Sequence, residues 1–112
     1  MAKVTRGDSI EAATNALRNL HDDELVASGV RTSLNWLATE HPGRAVEVRV
    51  PPYRAVQILG GTTHRRGTPP AVVEMSALTW LELFTKKSTW ADALSSGQVI
   101  ASGERSDLSE LF

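Results

Sequence analysis

The sequence predicts an α+β fold in which a mostly antiparallel sheet of four to five strands is covered by helices. Three observations carry this prediction. Apolar residues recur at helical spacing as far as His41, and the period changes to two from Ala45 onward. Four short strand-like segments lie between Gly and Pro breakers. Two further capped helical segments start at Ser76 and Thr89 and separate the last strands.

At the start of the chain, Asp8 with Glu11 three residues later reads as a capping box. Ile10, Ala13, Leu17 and Leu20 then recur at helical spacing, which predicts a helix from Ser9 to Leu20. Asp22 and Asp23 place negative charge at the next helix start. Val26, Val30, Leu34, Leu37 and His41 continue an apolar stripe until His41-Pro42-Gly43 ends it, so the two helices span 9 to 41. Trp36 falls beside that stripe and marks either a partner surface or a widened buried face.

Val46, Val48 and Val50 alternate with Glu47 and Arg49, the pattern of a strand with one solvated face. Pro51-Pro52 forces a turn. Tyr53 to Leu59 follows as a second strand with Val56 and Ile58 on one face, giving an antiparallel pair. The breaker-rich segment from Gly60 to Pro70 reads as the longest loop, and Ala71 to Met75 as the third strand of a meander.

Ser76 can cap a helix carrying Leu78, Trp80, Leu81, Leu83 and Phe84. These are apolar on nearly every side, which predicts burial on more than one face, and Lys86 and Lys87 suit its C-terminus. Thr89 and Asp92 read as a capping box for a short helix with Trp90, Ala93 and Leu94, closed by Gly97. Val99 to Ser102 reads as a strand. Asp107 with Glu110 then caps a final turn offering Leu108, Leu111 and Phe112 to the core.

Length and composition narrow the functions. The 112 residues suit one domain, 1 to 112, and 41% apolar with 22% charged residues is ordinary globular usage. Twelve basic against thirteen acidic residues argue against non-specific nucleic-acid binding. The absence of cysteine removes thiol nucleophiles and thiolate metal sites. With no apolar leader and no run of about 20 apolar residues, a cytoplasmic protein without stable membrane insertion is expected.

Several separated segments carry a resemblance: Val72-Val73-Glu74, Thr79-Trp80-Leu81, Thr89-Trp90-Ala91-Asp92-Ala93-Leu94, Gly97, Ala101-Ser102-Gly103 and Asp107-Leu108-Ser109. Upstream, Val46-Glu47-Val48-Arg49-Val50-Pro51-Pro52 and Arg66-Gly67-Thr68-Pro69-Pro70 belong with them. From about Ala45 to Phe112 the chain resembles the small bacterial proteins of the sterol carrier family. The resemblance implies a sterol carrier protein-like fold, a mostly antiparallel five-stranded sheet covered by helices around an apolar cavity. This chain departs from that pattern in showing four evident strands and in being shorter than a typical lipid-carrying member.

The candidate ligand-binding residues follow. Trp80, Phe84 and Trp90 fall on consecutive helices where they could line a hydrophobic cavity, with Val56, Ile58, Val73, Leu81 and Leu94 completing the lining. Ordinary core packing is the competing reading. A void of about 300 Å³, the low end for small ligands, would cost roughly 7 kcal/mol at about 24 cal/mol per Å³, against a total stability of about 5 to 15 kcal/mol. A domain this small cannot easily hold a large dry void, so a lipid site is expected to be small, occupied as purified, or opened only by its ligand. His64, Arg65 and Arg66 could contact a carboxylate or phosphate head group, or form a solvated loop tip.

No spacing of nucleophile, base and orienting group forms a catalytic motif, so no enzyme activity, metal or cofactor is expected. Three functions follow. The first is a non-catalytic binding or carrier module for a lipid or apolar small molecule. The second is a protein-interaction or homodimer module with a filled core. The third, implied by the family resemblance, is a stand-alone relative of the accessory domain of maleylpyruvate-isomerase-type enzymes.

Overall fold

In the computed structural model, residues 4–60 and 70–112 are described. Two helices, α1 (Arg6–Arg18) and α2 (Asp23–Glu40), precede β1 (Val46–Val50), β2 (Arg54–Ile58) and β3 (Ala71–Met75). The helices α3 (Ala77–Phe84) and α4 (Trp90–Ser95), strand β4 (Val99–Ser102) and a 3₁₀ turn (Ser109–Leu111) complete the order.

Helix α1 starts three residues earlier than the sequence suggests. The capping box is Thr5 with Asp8: the Thr5 hydroxyl accepts from the Asp8 N–H at 3.0 Å, and the Thr5 N–H donates to the Asp8 carboxylate at 3.2 Å. Asp8-x-x-Glu11 has the same spacing, but Asp8 is already helical and serves as the third residue of the box rather than its cap. The helix ends at Arg18, and Leu20 lies outside it, 48% exposed. Ser9, Ala13 and Ala16 form its buried face, with Ile10 and Leu17 only partly covered. Small residues are required there because α1 runs close to α2: a Cβ on Gly29 would lie 2.7 Å from the Ala16 methyl. The Ser9 hydroxyl is buried without a hydrogen-bond partner.

The second helix follows the prediction. Asp22 caps it by accepting from the Glu24 and Leu25 N–H groups, and Val26, Val30, Leu34 and Leu37 are buried along one stripe. His41 is its C-cap, donating its N–H to the Leu37 carbonyl at 2.9 Å.

The sheet has strand order β2-β1-β3-β4, with β1–β2 and β3–β4 antiparallel and β1–β3 parallel. Two of three pairings are thus antiparallel, but the first three strands are not a meander. After the hairpin through Pro51-Pro52, the chain passes to the other side of β1, which becomes a central strand. That position explains why Val46, Val48 and Val50 are all fully buried. One face, including Val46, Val48, Val50, Ile58, Val73, Met75 and Val99, joins the core under the helices. The opposite face carries Glu47 and Arg49, whose Nε donates to the Glu47 carboxylate at 2.6 Å, as the alternation predicts. Glu74 and Ile100 are direct neighbours across β3 and β4, and Ile100 is 65% exposed on the edge strand.

Helices α3 and α4 end in the same way with different residues. The Lys86 and Lys87 N–H groups donate back to the Leu83 and Glu82 carbonyls, and Gly97 and Gln98 do so to Leu94 and Ala93. This paired return closes a helix when the residue past its cap is left-handed. Gly97 has φ 78° and Lys86 has φ 64°. A left-handed residue with a side chain costs about 1–2 kcal/mol, part of it offset by the extra chain entropy a glycine loses on folding. Lys86→Gly is therefore expected to raise stability by about 1 kcal/mol, read as a higher urea midpoint at unchanged slope. Lys87→Gly serves as the control and should give no gain.

At the end of the chain, Asp107 bonds the Ser109 N–H at 3.0 Å rather than Glu110, and the 3₁₀ turn has no side-chain cap. The hydrogen bonds from Ser109 hold the Asp107 carboxyl below its ordinary pKa. Leu108 is buried, while Leu111 and Phe112 are half-buried against the core.

Candidate functional site

The three tryptophans and two phenylalanines assemble into one ladder. Trp90 stacks on Phe112 with ring centroids 5.9 Å apart, and Phe112 meets Trp80 edge-on at 5.8 Å. Trp80 stacks on Phe84 at 5.5 Å, and Phe84 meets Trp36 edge-on at 5.9 Å. These separations lie within the contact range of aromatic pairs. The rings therefore pack on one another, and the ladder runs from the buried Trp90 to the half-buried Trp36 at the surface.

A hydrogen-bond chain orients its centre. The Trp80 Nε1–H donates to the Ser33 hydroxyl at 2.7 Å, and that hydroxyl donates to the Gly29 carbonyl at 2.6 Å. The indole is thereby tied to the backbone of α2, and its one polar atom is satisfied inside the core.

The expected ligand-binding residues divide by position. Trp80, Leu81, Ile58 and Val73 are fully buried, and Phe84 and Trp90 are nearly so. Val56 is only partly covered, because β2 is an edge strand. Leu94 is 44% exposed, because α4 is short and turns only its Trp90 and Ala93 side inward. His64, Arg65 and Arg66 lie outside the described residues.

The surface end of the ladder opens into a cleft where the N-terminus of α1 meets the ends of α2 and α3 and the 3₁₀ turn. Its walls include Trp36, Phe84 and Phe112, and Arg6, His41 and Lys86 also line it. The enclosed space is about 30 Å³, room for a water molecule or one small polar group. Beside it, a shallow groove of about 320 Å³ is lined by Val4, Thr5, Arg6, Trp36 and Glu40. Arg6 and Trp36 belong to both. The Arg6 guanidinium sits over the Trp36 ring at 5.9 Å, a cation–π contact.

Sequence reasoning missed Arg6, His41 and Lys86 as a group. Arg6 and Lys86 were visible only as a residue before the first helix and a charge after the third. Their meeting depends on how α1 crosses α2 and α3. Among the described residues, no group of three or more His, Asp or Glu could hold a metal ion, and no helix is long and apolar enough to cross a membrane.

A mixed four-stranded sheet with one polar face, and with helices and an aromatic ladder over the other, defines a small α+β module of the sterol carrier type. Residues 22–112 match the family described as bacterial SCP ortholog, SCP denoting sterol carrier protein, and the chain belongs to this family. No curated protein matches the chain. Helix α1, with Arg6, lies before the matched segment.

Proposed function

We propose that this sterol-carrier-family module acts by binding an apolar small molecule or lipid segment, without a chemical step, at the surface end of its aromatic ladder. The observation supporting this reading is the wall of Trp36, Phe84 and Phe112 beside the groove of about 320 Å³, a size at the low end for small-molecule sites. The ladder's ring-to-ring packing fills the space around Trp80, which supports a ligand at the surface over one in an interior tunnel. Ile100 on the uncovered edge strand β4 favours a second reading, a homodimer formed through that edge.

Protein purified under native conditions and extracted with organic solvent tests both. A stoichiometric apolar molecule in the mass spectrum is the result expected for the binding module. An empty protein of dimeric native mass, reduced to monomer by Ile100→Lys, would replace it with the interaction reading.

A further inference from the structure

The geometry points to recognition of an anionic head group at the Arg6–Lys86 cleft, so that the ligand class is a short amphiphile carrying a carboxylate. This rests on the reading of the cleft and groove as the binding site, and adds the charge and orientation of what binds.

The enclosed cleft is lined by two basic residues, Arg6 and Lys86, and by His41, while among the described residues the only acidic one lining either space, Glu40, belongs to the groove. Among the described residues neither Arg6 nor Lys86 is engaged in a salt bridge, and the polar contact of Arg6 is with the face of Trp36. A guanidinium resting on an aromatic ring keeps its N–H fork available to a carboxylate. The cleft volume of about 30 Å³ admits a carboxylate but no hydrocarbon chain, whereas the groove that shares Arg6 and Trp36 with it has room for one. Head and body therefore have separate places, with Arg6 and Trp36 at the junction. The left-handed backbone at Lys86 positions the second cation at this cleft, where residues of strained conformation often serve function. Because Arg6 precedes the family-matched segment, this head-group site is built partly by a helix outside it.

The test compares octanoate with octanol, using the intact protein. Octanoate is expected to bind at least about tenfold more tightly, equivalent to about 1.4 kcal/mol. Arg6→Gln and Lys86→Gln should each remove most of that advantage by lowering octanoate affinity far more than octanol affinity, and Lys87→Gln should leave both affinities unchanged. A bromine-tagged octanoate locates the ligand: it should quench tryptophan fluorescence in the native chain and much less in Trp36→Phe. Equal binding of octanoate and octanol would overturn the head-group site while leaving the apolar binding reading in place. Failure of both to bind would overturn both. Quenching unaffected by Trp36→Phe would place binding elsewhere and reject this cleft.

Discussion

Gly43→Ala is expected to be among the most damaging single-methyl changes in this protein. Gly43 has φ 147° and lies where α2 gives way to β1. A Cβ there would be 2.0 Å from the Leu59 carbonyl carbon and 2.1 Å from the Gly60 nitrogen, both backbone atoms. No side-chain rotation relieves such a contact, so the strand end must move. Two hydrogen bonds hold that strand end: the Leu59 N–H donates to the His41 carbonyl and the Ala45 N–H to the Leu59 carbonyl, each at 2.9 Å. Losing both, at about 0.5–1.5 kcal/mol each, with backbone strain of about 1–3 kcal/mol, gives a loss on the order of 4 kcal/mol. That is a large fraction of the roughly 5–15 kcal/mol available to such a domain. Gly97→Ala is the matched control. It also has positive φ, but its Cβ would meet nothing within 4 Å, so only the left-handed penalty of about 1–2 kcal/mol applies. Urea unfolding of the two variants should separate them clearly; equal losses would mean that the close approach to Leu59 is relieved at little cost.

Trp80→Ala is the second large effect. Trp80 is fully buried between Phe84 and Phe112 and satisfies the Ser33 hydroxyl. Truncating a large aromatic in a packed core costs about 3–5 kcal/mol, and here the Ser33 oxygen also loses its donor. Trp80→Phe keeps most of the ring volume but not the N–H, and is expected to cost about 0.5–1.5 kcal/mol, the net worth of one hydrogen bond, since the Ser33 hydroxyl still donates to the Gly29 carbonyl. Combining Trp80→Phe with Ser33→Ala should cost less than the sum of the two single changes, because each alone already breaks the one hydrogen bond the two residues share. A fully additive cycle would show that the hydrogen bond contributes nothing beyond packing. Near-native stability of Trp80→Ala would show a loosely packed ladder, and would reopen the case for an interior ligand space.

The division between sequence and tertiary structure follows from the range of the interactions involved. Local signals were legible. Ser76 and Thr89 cap the helices expected of them, and Asp22, expected as charge at a helix start, is the cap of that helix, because a cap bonds N–H groups two or three residues away. The alternation of Val46, Val48 and Val50 with Glu47 and Arg49 correctly separated the buried from the solvated face of β1, because the period of two is a property of the strand alone. The same locality explains one error: Thr5-x-x-Asp8 and Asp8-x-x-Glu11 are equally good boxes in the sequence, and the choice depends on which turn α2 and α3 pack against.

Family membership and an α+β fold were likewise contained in the sequence, carried by segments from Val46 to Ser109 that recur in order. The parallel pairing of β1 with β3 was not, because a strand's pattern does not specify which neighbour lies across its hydrogen bonds. The exposure of Leu94 was decided by the short length of α4 and the way it seats against β4. The ladder from Trp90 to Trp36 joins rings from α2, α3, α4 and the final turn, and the Arg6–Lys86 cleft joins the two ends of the helical layer. Contacts between residues so distant in sequence exist only once the helices have packed. The sequence by itself determined which segments are helix and strand and which face of each is apolar, since those depend on neighbours along the chain. Tertiary packing alone decided how the aromatic residues fill the core and which charges meet at its surface, since those depend on neighbours in space.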